Sequence, residues 1–362
     1  MFSLLRVPLL IAARAATPVP HLYGLVRVHE MPSLPALVTV NVSSGKLSFV
    51  GAPGRLNTTA GTGDLAVIDP ASRRYYYLGD APGPRLVAVS LDTGAELCGV
   101  DLPALTEVDC VGCGQTLSLE RGALLISGIG RNASAADPYH TLLRLPLPSA
   151  ASSACPGPAT TVGHFGMAVF MPMAHASELN PVTQQLYLTL STGAHSYGIG
   201  VVDTSSAALS VIVEDGARGQ SLVGMNWQRS SGKLIGIAQD ETRPELSFRT
   251  LEPVGKGTWT AQPLGMALTL NLTQGPLYGN LGSVRAFGNN DGGLLYVLTM
   301  MQRGGPDSSG IKLAAEAEEG SAGGLFIVGV DPFAGQVVSA APLHGDKGIS
   351  GEVLLQMAIL LE

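Results

Sequence analysis

The sequence predicts an all-β fold built from a repeated unit of four strands. In the clearest copy, apolar runs at residues 65–68, 75–78, 86–91 and 96–102 alternate with turns rich in Asp, Pro and Gly. Similar units recur about every 50 residues, a period typical of arrays, solenoids and propellers. Amphipathic helices, which a TIM barrel or a Rossmann fold would place between its strands, are essentially missing. We call the strands of each unit A to D in chain order.

Six copies of the unit can be followed along the chain, and the first lacks its A strand. They cover residues 22–50, 65–102, 116–164, 176–214, 223–263 and 283–341. A lone apolar segment at 352–361 can supply the missing strand, because propellers close their ring by pairing the two chain ends. The sequence therefore predicts a six-bladed β-propeller of four-stranded antiparallel blades, with the C-terminal strand closing the N-terminal blade. The alternative is a seven-bladed propeller that is truncated in its last blade.

The N-terminus has the organisation of a secretory signal peptide. Residues 1–15 contain Arg6, a short apolar run and a cleavage-like Ala13-Arg14-Ala15. We expect residues 16–362 to form one propeller domain, with a Gly/Ser-rich insertion loop at 301–323 in the last blade. A mitochondrial transit peptide and an untargeted cytoplasmic chain are the alternatives. No apolar run reaches the roughly 18–20 residues of a transmembrane helix.

Composition excludes one class of partner. The chain of 362 residues is 46% hydrophobic and 14% charged, so it can bury a large core. Its formal net charge is −7, and its basic residues are scattered. Nucleic acid is therefore not expected as a partner, because binding to phosphates needs a clustered basic surface.

Cysteines and glycosylation sequons favour the secretory pathway. An even, clustered set of cysteines fits two disulfides in an oxidising compartment, and four cysteines allow three pairings. We expect Cys98 to pair with Cys155 and Cys110 with Cys113. The sequons are at Asn41, Asn57, Asn132 and Asn271. We expect the last three of these to share the rim formed by the D–A and B–C loops. Glycans there would leave the opposite rim or the blade sides for a broad protein partner.

The repeat resembles a known group of propellers. The B strands at 75–77, 186–188 and 295–297, followed by a C strand of the form x-Val-x-Asp-x-x-x-Gly, resemble YVTN-type and lactonase-like repeats. The resemblance covers most of the chain but lies in structural positions, so it implies architecture rather than activity. A lactonase-like propeller implies oxygen ligands for a channel-bound calcium or other divalent cation. Candidates near the A strands are Glu178, Asn226 and Asn280.

Motifs for catalysis are not evident. The sequence has no Gly-x-Ser-x-Gly in a strand-to-helix context, and its glycine pairs are not followed by the helix of a phosphate loop. The histidines expected on or near the rim of D–A and B–C loops are His164, His175, His195 and His344. We therefore predict a secreted binding protein for a protein or glycan ligand, without a cofactor, and favour a non-enzyme. The alternative is a metal-dependent hydrolase or lactonase-like enzyme.

Overall fold

The described part of this computed structural model is built from strands and turns. It comprises residues 21–28, 31–57, 66–79, 83–107, 116–131, 139–150, 152–166, 171–193, 196–213, 220–228, 232–240, 245–253, 259–269, 284–288, 295–302, 323–334, 336–345 and 349–360. No helix in these ranges could cross a membrane. The predicted signal peptide and most of the predicted insertion, residues 303–322, lie outside the described residues.

The strands follow the chain in 26 segments. The chain begins with β1 (His21–Val28), β2 (Met31–Val40) and β3 (Lys46–Phe49). Blade 1 contains β4 (Ala66–Asp69), β5 (Arg74–Gly79), β6 (Arg85–Ser90) and β7 (Glu96–Asp101). Blade 2 contains β8 (Leu105–Glu107), β9 (Thr116–Glu120), β10 (Ala123–Gly130), β11 (Tyr139–Pro146) and β12 (Thr160–Gly166).

The later blades repeat this pattern. Blade 3 contains β13 (Met171–Asn180), β14 (Gln185–Gly193), β15 (Ser196–Asp203) and β16 (Leu209–Val213). Blade 4 contains β17 (Gln220–Gln228), β18 (Lys233–Asp240), β19 (Glu245–Pro253) and β20 (Trp259–Thr269). Blade 5 contains β21 (Val284–Gly288), β22 (Leu295–Gln302), β23 (Gly323–Asp331) and β24 (Gln336–Pro342). The last strands are β25 (His344–Gly345) and β26 (Ile349–Leu360).

The prediction of six four-stranded blades, with a truncated seven-bladed ring as the alternative, is wrong. Among the described residues, five blades are built from consecutive antiparallel strands, and a further sheet mixes the two chain ends. This closure sheet has five strands in the order β25-β3-β2-β1-β26, and β25 runs parallel to β3. Blade 2 also departs from the unit, since β10 pairs with both β8 and β9. Counting apolar runs could not reveal these added strands, which are short and cover sheet edges.

The two chain ends pair as a closing ring requires. Strand β26 is antiparallel to β1, with Leu22 opposite Ile359 and Leu25 opposite Leu355. The inner strands β4, β9, β13, β17, β21 and β26 contact one another in a closed series. Pairing with β26 therefore places β1 inside the sheet, and β26 becomes the inner strand of the closure sheet.

The core consists of apolar seams between neighbouring sheets. Tyr75 and Tyr77 pack with residues of the closure sheet, whereas Tyr76 packs with blade 2, and all three are fully buried. Successive side chains of a strand point to opposite faces, and here a neighbouring sheet covers each face. This explains why the blade strands read as continuous apolar runs rather than as alternating patterns.

The A–B and C–D turns are closed by side-chain hydrogen bonds. Oδ1 of Asn180 accepts backbone N–H bonds from Val182 and Thr183 at 2.9 and 3.2 Å. Asp203 and Asp331 use the same arrangement in other turns, and Asp69 accepts one backbone N–H bond, from Ala71, and one bond from the Ser72 hydroxyl. An Asn or Asp side chain that imitates a backbone turn in this way sets where each strand ends.

Candidate functional site

The fold separates two rims, which we name from their connections. The ligand rim is formed by the B–C and D–A loops, and the turn rim by the A–B and C–D turns. Loops on a rigid scaffold are the usual location of binding residues. The end of its strand at which a candidate residue lies therefore determines which rim it occupies.

Two of the three candidate metal ligands lie on neighbouring inner strands. Glu178 stands two residues before the end of β13, and Asn226 stands two residues before the end of β17, which contacts β13. Asn226 is 6% exposed and Glu178 is half-buried. Both positions are close to the turn rim rather than the ligand rim.

The metal site remains a prediction. Asn280 lies outside the described residues. In the part of the chain that the structure describes, no group of three or more His, Cys, Asp or Glu side chains is arranged to hold a metal ion. Glu178 and Asn226 would supply one carboxylate and one amide oxygen, both of the type that Ca²⁺ prefers.

A fixed, exposed imidazole lies at the ligand rim of blade 2. His164 is near the end of β12, directly before a D–A loop, and its side chain is exposed. Its Nδ1 lies 3.0 Å from Oγ1 of Thr141, a residue that is only 1% exposed. The ring of Tyr139 meets the imidazole in a T-shaped contact with centroids 4.8 Å apart. We call Tyr139, Thr141 and His164 the rim triplet.

Strand geometry explains how the rim triplet is assembled. Tyr139 and Thr141 are two residues apart on β11 and share one face, and Thr141 is directly opposite His164 on β12. Gly130 on the adjacent β10 makes room, because a Cβ there would collide with the Tyr139 ring and approach Oγ1 of Thr141 to 2.7 Å.

This arrangement presents one polar atom of His164 to solvent. Because the Thr141 hydroxyl occupies Nδ1, the opposite nitrogen, Nε2, is the one available to a ligand. Neutral imidazole either donates or accepts a hydrogen bond at that atom, depending on its tautomer. Sequence analysis found His164 as a rim histidine but missed its partners. The sequence signal for these partners was the i, i+2 spacing of Tyr139 and Thr141 on the strand before the one that carries His164. Such spacing is common in strands, so it is a weak signal.

A second histidine of blade 2 has the opposite environment. His140 lies between Tyr139 and Thr141, so its side chain faces blade 3. It is fully buried, neither ring nitrogen has a hydrogen-bond partner, and the ring stacks on Phe165 at 5.3 Å. Burial disfavours the imidazolium ion and lowers the pKa of His140 to about 4.

The remaining rim histidines do not extend the site. His344 is exposed, and its Nδ1 lies 3.2 Å from the carbonyl oxygen of Pro342 at the edge of the closure sheet. His195 and the side chain of His175 lie outside the described residues.

The predicted disulfide between Cys98 and Cys155 is present. It joins β7 of blade 1 to the connection between β11 and β12 of blade 2, with Cα atoms 6.0 Å apart. Cys110 and Cys113 lie outside the described residues, so their pairing remains a prediction.

The described sequons lie near the turn rim. Asn41 is exposed and closes the β2–β3 turn by accepting N–H bonds from Ser43 and Ser44 at 3.0 Å. The backbone N–H of Asn57 donates to Glu96 Oε2 at 2.8 Å, beside the start of β7. The expected position of Asn57 on the ligand rim therefore does not hold, because its segment crosses to the edge of blade 1. Asn132 and Asn271 lie outside the described residues.

Comparison with known proteins supports the fold. No protein-family model and no curated protein matches the chain. The periplasmic gluconolactonase PpgL of Pseudomonas aeruginosa is similar in structure, with a TM-score of 0.50 and 11% identity over 94% of this chain and 99% of that one.

Two further solved structures align with slightly lower scores. A putative 6-phosphogluconolactonase from Bacteroides fragilis has a TM-score of 0.49 and 12% identity, over 92% of this chain and 85% of that one. TolB from Acinetobacter baumannii has a TM-score of 0.48 and 10% identity, over 94% of this chain and 66% of that one. At such identities similarity speaks for architecture alone. The chain is a β-propeller, and the lactonase-like resemblance of its repeats fits this fold.

Proposed function

We propose that this chain is a secreted propeller that binds a protein or glycan partner at its ligand rim. The observation that carries the proposal is the rim triplet, which holds an exposed imidazole in one orientation. A side chain that is already ordered loses less conformational entropy when it binds, so its contacts contribute more to affinity. Tyr139 adds an aromatic surface beside Nε2 of His164, and aromatic side chains are enriched among the anchors of binding interfaces.

The disulfide supports the compartment in this proposal. Disulfides persist in oxidising environments such as the extracellular space and the periplasm. The bond between Cys98 and Cys155 is therefore consistent with secretion, as are the exposed sequons at Asn41 and Asn57.

A direct binding screen tests the proposal. Biotin-labelled protein is applied to a glycan array and, separately, to an array of secreted proteins. Hits are then measured with His164→Ala and Tyr139→Ala, and with His344→Ala as a control at another exposed histidine. We expect about tenfold weaker binding for both rim variants, equivalent to about 1.4 kcal/mol, and no change for the control. Binding unaffected by either rim variant would place recognition elsewhere, and no hit on either array would count against a binding function.

A second candidate is a metal-dependent hydrolase. It is supported by the corresponding positions of Glu178 and Asn226 on neighbouring inner strands. The test is thermal unfolding with calcium, magnesium, manganese or zinc, each repeated with a chelator. A cation at about 100 times its Kd would stabilise the fold by about 2.7 kcal/mol. Glu178→Gln and Asn226→Ala should abolish that shift, whereas Glu96→Gln on an outer strand should not. Lack of any chelator-reversible shift would reject this candidate.

A further inference from the structure

A buried arginine lies next to the disulfide between blades 1 and 2. Arg74, the first residue of β5, is only 4% exposed. Its Nη1 donates to the carbonyl oxygen of Ala154 and its Nη2 to that of Ser152, each at 2.6 Å. Both acceptors belong to the β11–β12 connection that carries Cys155. The same short segment is therefore attached to blade 1 twice, by the hydrogen bonds of Arg74 and by the disulfide.

The two attachments differ in their access to solvent. Cys155 is exposed and Cys98 is half-buried, so Cys155 is the more accessible half of the disulfide for an external thiol. Arg74 is enclosed, and its charge requires hydrogen-bond acceptors wherever it is not hydrated. Burial raises the pKa of the nearby Tyr76 hydroxyl, and the adjacent Arg74 partly offsets this effect.

We propose that Cys98 and Cys155 form a reversible thiol–disulfide pair within the folded protein, and that Arg74 is the positioning residue that keeps the reduced thiols together. If the segment left after reduction, the guanidinium group would lose both of its hydrogen bonds to this segment. The segment therefore stays docked, and Cys155 remains opposite Cys98. Thiols held in this way have a high effective concentration, which favours formation of the disulfide.

The reaction requires an external thiol, and glutathione is the reagent of the test. A glutathione thiolate attacks Sγ of Cys155, forms a mixed disulfide there, and Cys98 leaves as a thiolate. A second glutathione thiolate attacks the glutathione sulfur of the mixed disulfide, so that Cys155 leaves as a thiolate and oxidised glutathione is released. Two electrons enter the protein, and protons from solvent complete the two thiols. The reverse sequence restores the disulfide.

The test measures the equilibrium of this one pair. Full-length protein is equilibrated with reduced and oxidised glutathione at a series of ratios, and the Cys98–Cys155 peptide is quantified by isotope-coded alkylation and mass spectrometry. Circular dichroism follows the fold in the same samples. Arg74→Met is compared with Arg73→Met, since Arg73 is the adjacent, exposed arginine that pairs with Asp92 at 2.8 Å.

Arg74→Met should lower the equilibrium constant for disulfide formation at least about tenfold, or about 30 mV, and Arg73→Met should not change it. Wild-type protein should remain folded when the pair is reduced.

If Arg74→Met does not fold, Arg74→Lys, which keeps the charge but not the two-pronged geometry, should give a smaller decrease. An equal constant in wild type and the folded Arg74 variant would overturn the positioning role. Unfolding of the wild type on reduction would overturn the reversible pair.

Discussion

Replacing His140 with phenylalanine should make the stability of this propeller less sensitive to acid. His140 is fully buried at the seam between blades 2 and 3, and burial lowers its pKa from 6.5 to about 4. In the unfolded chain its pKa returns to the ordinary value. Between these two values the unfolded state binds more protons than the folded state, so stability falls as the pH falls through this window.

The size of the effect follows from the two pKa values. Between about pH 7.5 and pH 5, His140 should cost the folded wild type about 2 kcal/mol. The full difference of about 2.5 pKa units corresponds to about 3.4 kcal/mol and is reached only below pH 4. The phenylalanine variant lacks this dependence and keeps the ring that stacks on Phe165.

Urea unfolding at the two pH values measures the difference directly. Carboxyl groups also change the stability over this range, but they do so in both proteins and cancel in the comparison. His344→Gln is the control, since His344 is exposed and should retain the wild-type dependence. If His140→Phe and the wild type lose the same free energy of unfolding between the two pH values, then His140 is not a buried neutral imidazole. His140→Leu provides the same comparison should phenylalanine be too large for the seam.

Two further substitutions, each with a matched control, test a close backbone contact and an ion pair within blade 2. Gly94→Ala should destabilise the fold by about 3 kcal/mol or more. Gly94 has a φ of +64°, and a Cβ at this position would collide with a neighbouring backbone carbonyl oxygen. Gly122→Ala, with a φ of +71° and open space around it, should lose only about 1–2 kcal/mol; equal losses in thermal unfolding would contradict this explanation. Glu120→Gln should lose about 1–3 kcal/mol by removing the 2.9 Å ion pair with Arg144. Arg121→Gln, an exposed neighbour, should stay within about 0.5 kcal/mol, and urea midpoints that do not separate these two variants would argue against an energetic role for the ion pair.

The strands of the blades were accessible to sequence reasoning because they are buried on both faces. Tyr75-Tyr76-Tyr77 reads as one apolar run, and the structure divides it between two seams. The turns that end the strands could also be predicted from their Asn and Asp residues, because these side chains hydrogen-bond to backbone groups only two or three residues away. Cys98 and Cys155 were an expected pair among the three pairings that four cysteines allow, and the structure confirms this bond.

The arrangement of strands at the sheet edges was not accessible in this way. Strand β8 and strand β25 are short segments without a periodic pattern, and their role is to cover edges that exist only after the sheets have formed. The same limit applies to the rim triplet. His164 acquires its orientation from Thr141, which is 23 residues away in the chain and adjacent only through the register of β11 and β12.

The sequence alone therefore determined the all-β character, the repeat and the turns, because each depends on residues close together in the chain. Tertiary structure decided the blade count, the mixed closure sheet and the distinct environments of His140 and His164. These two histidines lie on adjacent strands of one blade. His140 is buried and neutral, whereas His164 is exposed and hydrogen-bonded. Their difference comes from which face of the blade each side chain occupies and which neighbour covers it, and that information is set by contacts between distant parts of the chain.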